Sequence, residues 1–148
     1  MDIEVRIATA ADRAALEQFY SREGLDFQSL SSRNSLVPAR TSKETMYVIA
    51  ASSDMVVASL KLDVANDPKI GEVGYIQHFE IEDALEHTDI GFQMLQKAIE
   101  IADDKNLRAL DASVSEERAD VIKLYADSEF DEVRKDVYLR RNFRPSPF

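Results

Sequence analysis

Three apolar runs crowd into the middle of the chain: Met46–Ala50, Met55–Leu62 and Gly74–Ile81. The first two are separated by Ala51-Ser52-Ser53-Asp54, and the third follows the breakers Asn66-Asp67-Pro68 and Gly71. Short runs punctuated so closely are strands joined by hairpins, because the breakers supply turn conformations and leave no room for a crossover. The centre of the chain is therefore an antiparallel meander, and whatever flanks it must cover its apolar surface.

The flanks read as helices with further strands. Ile3-Glu4-Val5-Arg6-Ile7 alternates with period two, as a half-buried first strand does. Thr9 with Asp12 three residues on has capping-box spacing, Leu16, Phe19 and Tyr20 form an apolar stripe, and Gly24 supplies a left-handed stop. From Gln28 to Lys43 the pattern dissolves into a long loop. Ile90 to Lys105 is the clearest helix, with Met94, Leu95, Ala98, Ile99, Ile101 and Ala102 at helical spacing and Asn106 as its stop. Leu107–Val114 reads as a strand, and Ser115 caps a helix carrying Glu116 and Glu117 in its first turn and Val121, Ile122, Leu124 and Tyr125 beyond. Val133, Val137 and Leu139 alternate with charges as a last strand, and residues 142–148 form a tail. The expected class is α+β, a mixed, mostly antiparallel sheet flanked by helices, in a single domain over 1–148.

Composition narrows the chemistry. Net charge is −10, the wrong sign for a general nucleic-acid binder and the right one for cationic partners. Cysteine is absent and there are two histidines, which removes thiolate chemistry and leaves little for a metal. No apolar run approaches the roughly 20 residues of a membrane span, and the acidic start is not a signal peptide. A cytoplasmic location without membrane attachment is expected.

The order meander, helix, strand, helix is similar to the core of the GNAT (GCN5-related N-acetyltransferase) superfamily, over about residues 3 to 141, and particular residues sharpen the resemblance. Glu86-His87-Thr88-Asp89-Ile90-Gly91 sits where that family has its pyrophosphate loop, Gln/Arg-x-x-Gly-x-Gly/Ala. Glu86 and Asp89 replace two signature residues, and Gly91 fits. Val121-Ile122-Lys123-Leu124-Tyr125-Ala126-Asp127-Ser128-Glu129-Phe130 resembles the family's Ala-x-x-Leu-Tyr-x-x-x-Gly-Phe, with Glu129 in place of Gly, and Arg118 stands where Asn is common.

The resemblance implies transfer of an acetyl group from acetyl-CoA to a primary amine by direct attack. Phe79, Ile81, Glu86, Asp89, Ile90, Gly91 and Phe92 would line the cofactor site, with backbone N–H groups holding the diphosphate, and Tyr125 would protonate the departing thiolate. Its alternative is a Tyr packed beside Leu124 in the core. Tyr75 and Gln77 stand in register with the family's base, and neither is a competent base at neutral pH. His78 and Glu80 fall on the opposite face of that strand unless a bulge re-aims one.

Electrostatics oppose the cofactor. Between His78 and Asn106 eight acids face two lysines. A carboxylate about 5 Å from a phosphate charge costs roughly 3 kcal/mol at an effective dielectric of about 20, and a charge-assisted amide bond returns about 1.5–3. As the cap of the following helix, Asp89 would also occupy the amides a diphosphate needs. A GNAT-fold binding or regulatory module that has lost transfer is therefore the alternative reading. Glu82, Asp83, Glu86, His87 and Asp89 lack the second histidine of a metal site, so no metal is expected. The acceptor is a small-molecule or peptide amine. Arg134, Lys135, Arg140, Arg141 and Arg144 form the basic region, read as edge-strand protection, with a homodimer through that edge left open.

Overall fold

A computed structural model describes residues 2–28 and 42–143. The chain runs β1 (Glu4–Ile7), α1 (Arg13–Arg22), β2 (Ser42–Ser52), β3 (Met55–Asp67), β4 (Gly71–Ile81), α2 (Ile90–Asp104), β5 (Ala109–Ala112) and α3 (Ala119–Asp127), with single 3-10 turns at Ala10–Asp12 and Asp83–Leu85. The sheet order is β1-β2-β3-β4-β5. Four strands form an antiparallel meander and β5 joins β4 in parallel. Most of the predicted Gln28–Lys43 loop lies outside the described residues.

Each turn has a local cause. Ser53 takes a positive φ of 53° between β2 and β3, and Asp67 Oδ1 accepts the Lys69 N–H at 2.8 Å in the next turn, an Asx turn. Helix α1 ends on Gly24 at φ 79°, where the Leu25 N–H reaches back to the Tyr20 carbonyl at 2.8 Å. Asn106 closes α2 in the same way at φ 56°. Glu129 closes α3 at φ 67°, a conformation that costs a residue with a Cβ on the order of 1 kcal/mol. At the front of α1 the Asp12 carboxylate accepts the Thr9 N–H at 2.7 Å and both terminal nitrogens of Arg6 at 2.7 and 2.8 Å. Those bonds hold it far below the usual carboxylate range.

Two cores sit on opposite faces of the sheet. Val48, Ala50, Leu60, Leu62 and Ile76 pack under α2 with Met94, Leu95, Ala98 and Ile101, and Tyr125 of α3 joins them. Leu16, Phe19 and Tyr20 of α1 cover Ile49, Ala51 and Val56 on the other face. That second face also carries buried polar groups. Ser59, Lys61 and Asp63 alternate along β3 and are at most 6% exposed.

Two sequence expectations need correction. The final helix starts at Ala119, not at Ser115. Ser115 instead opens a turn, in which its carbonyl accepts the Arg118 N–H at 3.0 Å, and Glu116 and Glu117 stay outside the helix. The last strand does not form: residues 131–143 are neither helix nor strand, and Val133, Val137 and Leu139 are 81–89% exposed. Alternation specifies two faces but supplies no neighbouring strand to pair with.

Candidate active site

The site is built where β4 parts from β5. The two strands pair from Val73↔Ala109 to Ile76↔Ala112, and β4 continues to Ile81 beyond the last pair. A parallel sheet that opens in this way leaves backbone groups of the longer strand facing a cleft at its carboxyl end. The Glu82 N–H turns inward to the Val57 carbonyl at 2.9 Å, so strand alternation points the Ile81 N–H outward, into the cleft.

Within this stretch of β4 lies a bulge. The β3–β4 register jumps between Ser59↔Glu80 and Lys61↔Gln77, and His78 takes a positive φ of 51°. The extra residue brings Glu80 onto the face that carries Tyr75 and Gln77, since their partners Ser59, Lys61 and Asp63 all alternate along one side of β3. Tyr20 of α1 secures the distortion: its hydroxyl donates to the His78 carbonyl at 3.0 Å and lies 2.9 Å from the Ser59 hydroxyl.

The candidate residues divide in consequence. Gln77 donates through Nε2 to Asp63 at 3.1 Å, Tyr75 stands opposite Asp63, and Thr45 Oγ1 donates to Asp63 at 2.5 Å. Gln77 thus serves a buried polar network. Burial and the nearby Lys61 lower the pKa of His78, which favours its neutral form. Glu80 differs. It is half-buried, desolvation raises its pKa, Arg118 opposes that rise, and Glu23 and Glu86 reinforce it.

Tyr125 stands on the other wall, 7% exposed, its ring edge-on to Phe79 at 6.4 Å and to Phe130 at 5.0 Å. Burial raises its pKa, and Arg118 pulls the other way. Arg118 therefore acts electrostatically on both Glu80 and Tyr125. In the sequence it stands out only as a departure from a motif. Its signal was its place one residue ahead of the Tyr125 helix, where it is the N-cap.

The third component is the start of α2. Its first helical bond runs from the Gln93 N–H to the Asp89 carbonyl at 3.0 Å, so the amides of Gly91 and Phe92 precede the ladder. Asp89 occupies the N-cap position, but its side chain makes no capping bond. The expected capping carboxylate is thus absent from the amides. Thr88 Oγ1 lies 3.4 Å from the Ile90 nitrogen and donates to the Leu85 carbonyl at 2.6 Å. Glu86 and Asp89 are exposed. A Cβ on Gly91 would stand 3.1 Å from Ile81 Cδ1 and 3.2 Å from Leu124 Cδ2, so this glycine lets β4, α2 and α3 meet closely.

The resemblance carried by the motifs is matched by comparison with known proteins. The profile of the Acetyltransferase (GNAT) family matches residues 8–130. The chain belongs to the GNAT acetyltransferase family. No curated protein matches the sequence at a significant level, whereas solved structures do. A transcriptional regulator from Bacillus halodurans C-125 superposes with a TM-score of 0.71 at 15% identity, covering 95% of this chain and 100% of that one. Aminoglycoside N-acetyltransferase AAC(6')-Iy, solved with CoA, gives 0.71 at 11% identity, covering 94% and 99%. A predicted acetyltransferase from Clostridium acetobutylicum, solved with acetyl-CoA, gives 0.66 at 18% identity, covering 94% and 96%. At these identities the structures establish the shared fold, and the family match places the chain among acetyltransferases.

Proposed function

We propose that this GNAT acetyltransferase moves an acetyl group from acetyl-CoA to a primary amine by direct attack, with Glu80 as general base and Tyr125 as general acid. The observation that carries the proposal is the bulge at His78. It sets a desolvated carboxylate on the cleft beside a strand that has lost its neighbour, with a buried phenol on the facing helix.

The residues fit the donor. Uncapped amides at the start of α2 suit a diphosphate, and the outward Ile81 N–H suits the thioester oxygen. Glu80 would take a proton from the attacking ammonium, which must lose it to become a nucleophile. Its raised pKa moves it toward the pH at which a base works best. Tyr125 stays protonated throughout the physiological range and can donate to the departing sulfur. Arg118 holds positive potential beside both, which steadies the developing thiolate charge.

The acceptor side is acidic. Glu23, at the end of α1, has its pKa raised by burial and by Asp83, Glu82 and Glu86, so these carboxylates share one neighbourhood with Glu80. A rim of that kind draws cationic amines toward the base, whether carried by a small molecule or a peptide. Among the described residues no helix is long and apolar enough to cross a membrane, and a cytoplasmic location accords with the lack of cysteine. We read the chain as a single catalytic domain that needs no metal.

Thiol release from acetyl-CoA, followed with a panel of primary amines, tests the assignment. Cationic amines should support turnover, with the rate falling toward acid as Glu80 takes up a proton at a pH above the ordinary glutamate range. Glu80→Gln should reduce turnover by about 10²-fold or more and remove that acid limb. Turnover of the Gln variant with an unaltered pH profile would exclude Glu80 as the base.

A further inference from the structure

Tyr20 is fully buried, and its hydroxyl ends on the backbone of the bulge. Its ring is gripped by other rings: edge-on to Phe19 at 5.3 Å, stacked on Phe27 at 5.9 Å and edge-on to Tyr47 at 6.3 Å. A phenol packed in this way has little freedom in where it sets its oxygen. It has one proton to give. A carbonyl can only accept, so that proton goes to the His78 oxygen at 3.0 Å, and the Ser59 hydroxyl, 2.9 Å away, donates to the phenolic oxygen. Burial raises the Tyr20 pKa, so the proton stays in place throughout the physiological range.

The bond matters for the conformation it holds. His78 has a φ of 51°, in the left-handed region that a residue with a Cβ avoids. Gln77 is tied to Asp63 before the bulge, and the Glu82 N–H to the Val57 carbonyl after it. Between the pairs Lys61↔Gln77 and Ser59↔Glu80, β4 has one residue more than β3, and that slack must be taken up somewhere. If it moved further along β4, ordinary pairing would continue through His78, Ser59 would face Phe79, and Glu80 would turn to the opposite face. We propose that Tyr20 is a positioning residue for Glu80: its hydroxyl fixes the extra residue of β4 at His78 and so keeps the Glu80 carboxylate in the cleft. Its consequence for acetyl transfer rests on the reading of Glu80 as the base. In the cleft Glu80 is faced by Glu23 of α1, Glu86 ahead of α2, Arg118 ahead of α3 and Tyr20 itself, and burial raises its pKa. That pKa therefore reports where the carboxylate is.

Tyr20→Phe in the full chain tests the proposal, because the ring and its aromatic neighbours are kept and only the hydroxyl is lost. Titration of the Glu80 carboxyl by NMR should give a lower pKa than in the wild-type protein, nearer the ordinary glutamate value, as the carboxylate gains water. kcat should fall about tenfold with KM for acetyl-CoA within about twofold, and the acid limb of the rate profile should move to lower pH with the NMR value. His78→Gly added to Tyr20→Phe should restore both, since glycine adopts a positive φ without a tether. Leu16→Val, which loosens the same helix but carries no hydrogen bond to the bulge, should leave the Glu80 pKa where it is. A Glu80 pKa unmoved by Tyr20→Phe, or moved as far by Leu16→Val, overturns the proposal, whatever Glu80→Gln does to turnover. A pKa that falls in Tyr20→Phe while kcat holds confirms that Tyr20 places Glu80 and removes Glu80 as the base instead.

Discussion

Tyr125→Phe should lower kcat for acetyl transfer by about 10²-fold or more while leaving the affinity for acetyl-CoA within about twofold. The prediction rests on what the substitution retains. The ring keeps its edge-on packing against Phe79 and Phe130, so the wall of the cleft is preserved and only the phenolic hydroxyl is lost. A loss confined to kcat is the signature of an interaction made in the transition state. Rapid-mixing kinetics with calorimetric affinities separates the two quantities. An unchanged kcat would assign Tyr125 to the core, the alternative that its place on an apolar helix face suggests.

Asp63→Ala is the second large effect, and it acts on stability. Asp63 Oδ2 lies 3.6 Å from Lys61 Nζ, with the two side chains 9% and 3% exposed, and Thr45 and Gln77 donate to the same carboxylate. Removing it takes a shared acceptor from three donors at once and leaves an ammonium buried beside the new methyl. Breaking a buried ion pair from one side costs about 3–5 kcal/mol, which in a chain of this size lowers Tm by about 6–20 °C. Lys61→Met combined with Asp63→Leu should recover part of the loss, because the cost lies in leaving one charge behind. Thermal denaturation of Lys61→Met, Asp63→Leu and the variant carrying both tests this. Strictly additive losses would show that the pair is not coupled.

Much of this architecture was legible because local chemistry and packing agree. The meander followed from breakers that the structure uses as turns, and Gly24 and Asn106 end their helices in the left-handed conformation that their side chains allow. The stripe of α2 is buried at Met94, Leu95 and Ala98 as its spacing requires. Three features were not legible. No glycine marks the bulge at His78, because its positive φ is held from a distance by Tyr20, 58 residues away in sequence. Without the bulge, Glu80 is assigned to the wrong face. Asp89 has the residue type of a cap, but Thr88 stands near the first amide instead. Val133–Phe143 has the pattern of a strand, yet a strand is defined by its partner, and none pairs with it among the described residues.

The central claim is that the start of α2 still accepts a diphosphate with Glu86 and Asp89 beside it. Titration calorimetry with acetyl-CoA addresses it directly. The account predicts saturable binding by the wild-type protein and about tenfold tighter binding by Glu86→Gln combined with Asp89→Gly, since two repelling charges leave and the exposed side chains support no packing. No heat at millimolar acetyl-CoA in either protein, or affinity unmoved by the paired substitution, would contradict it.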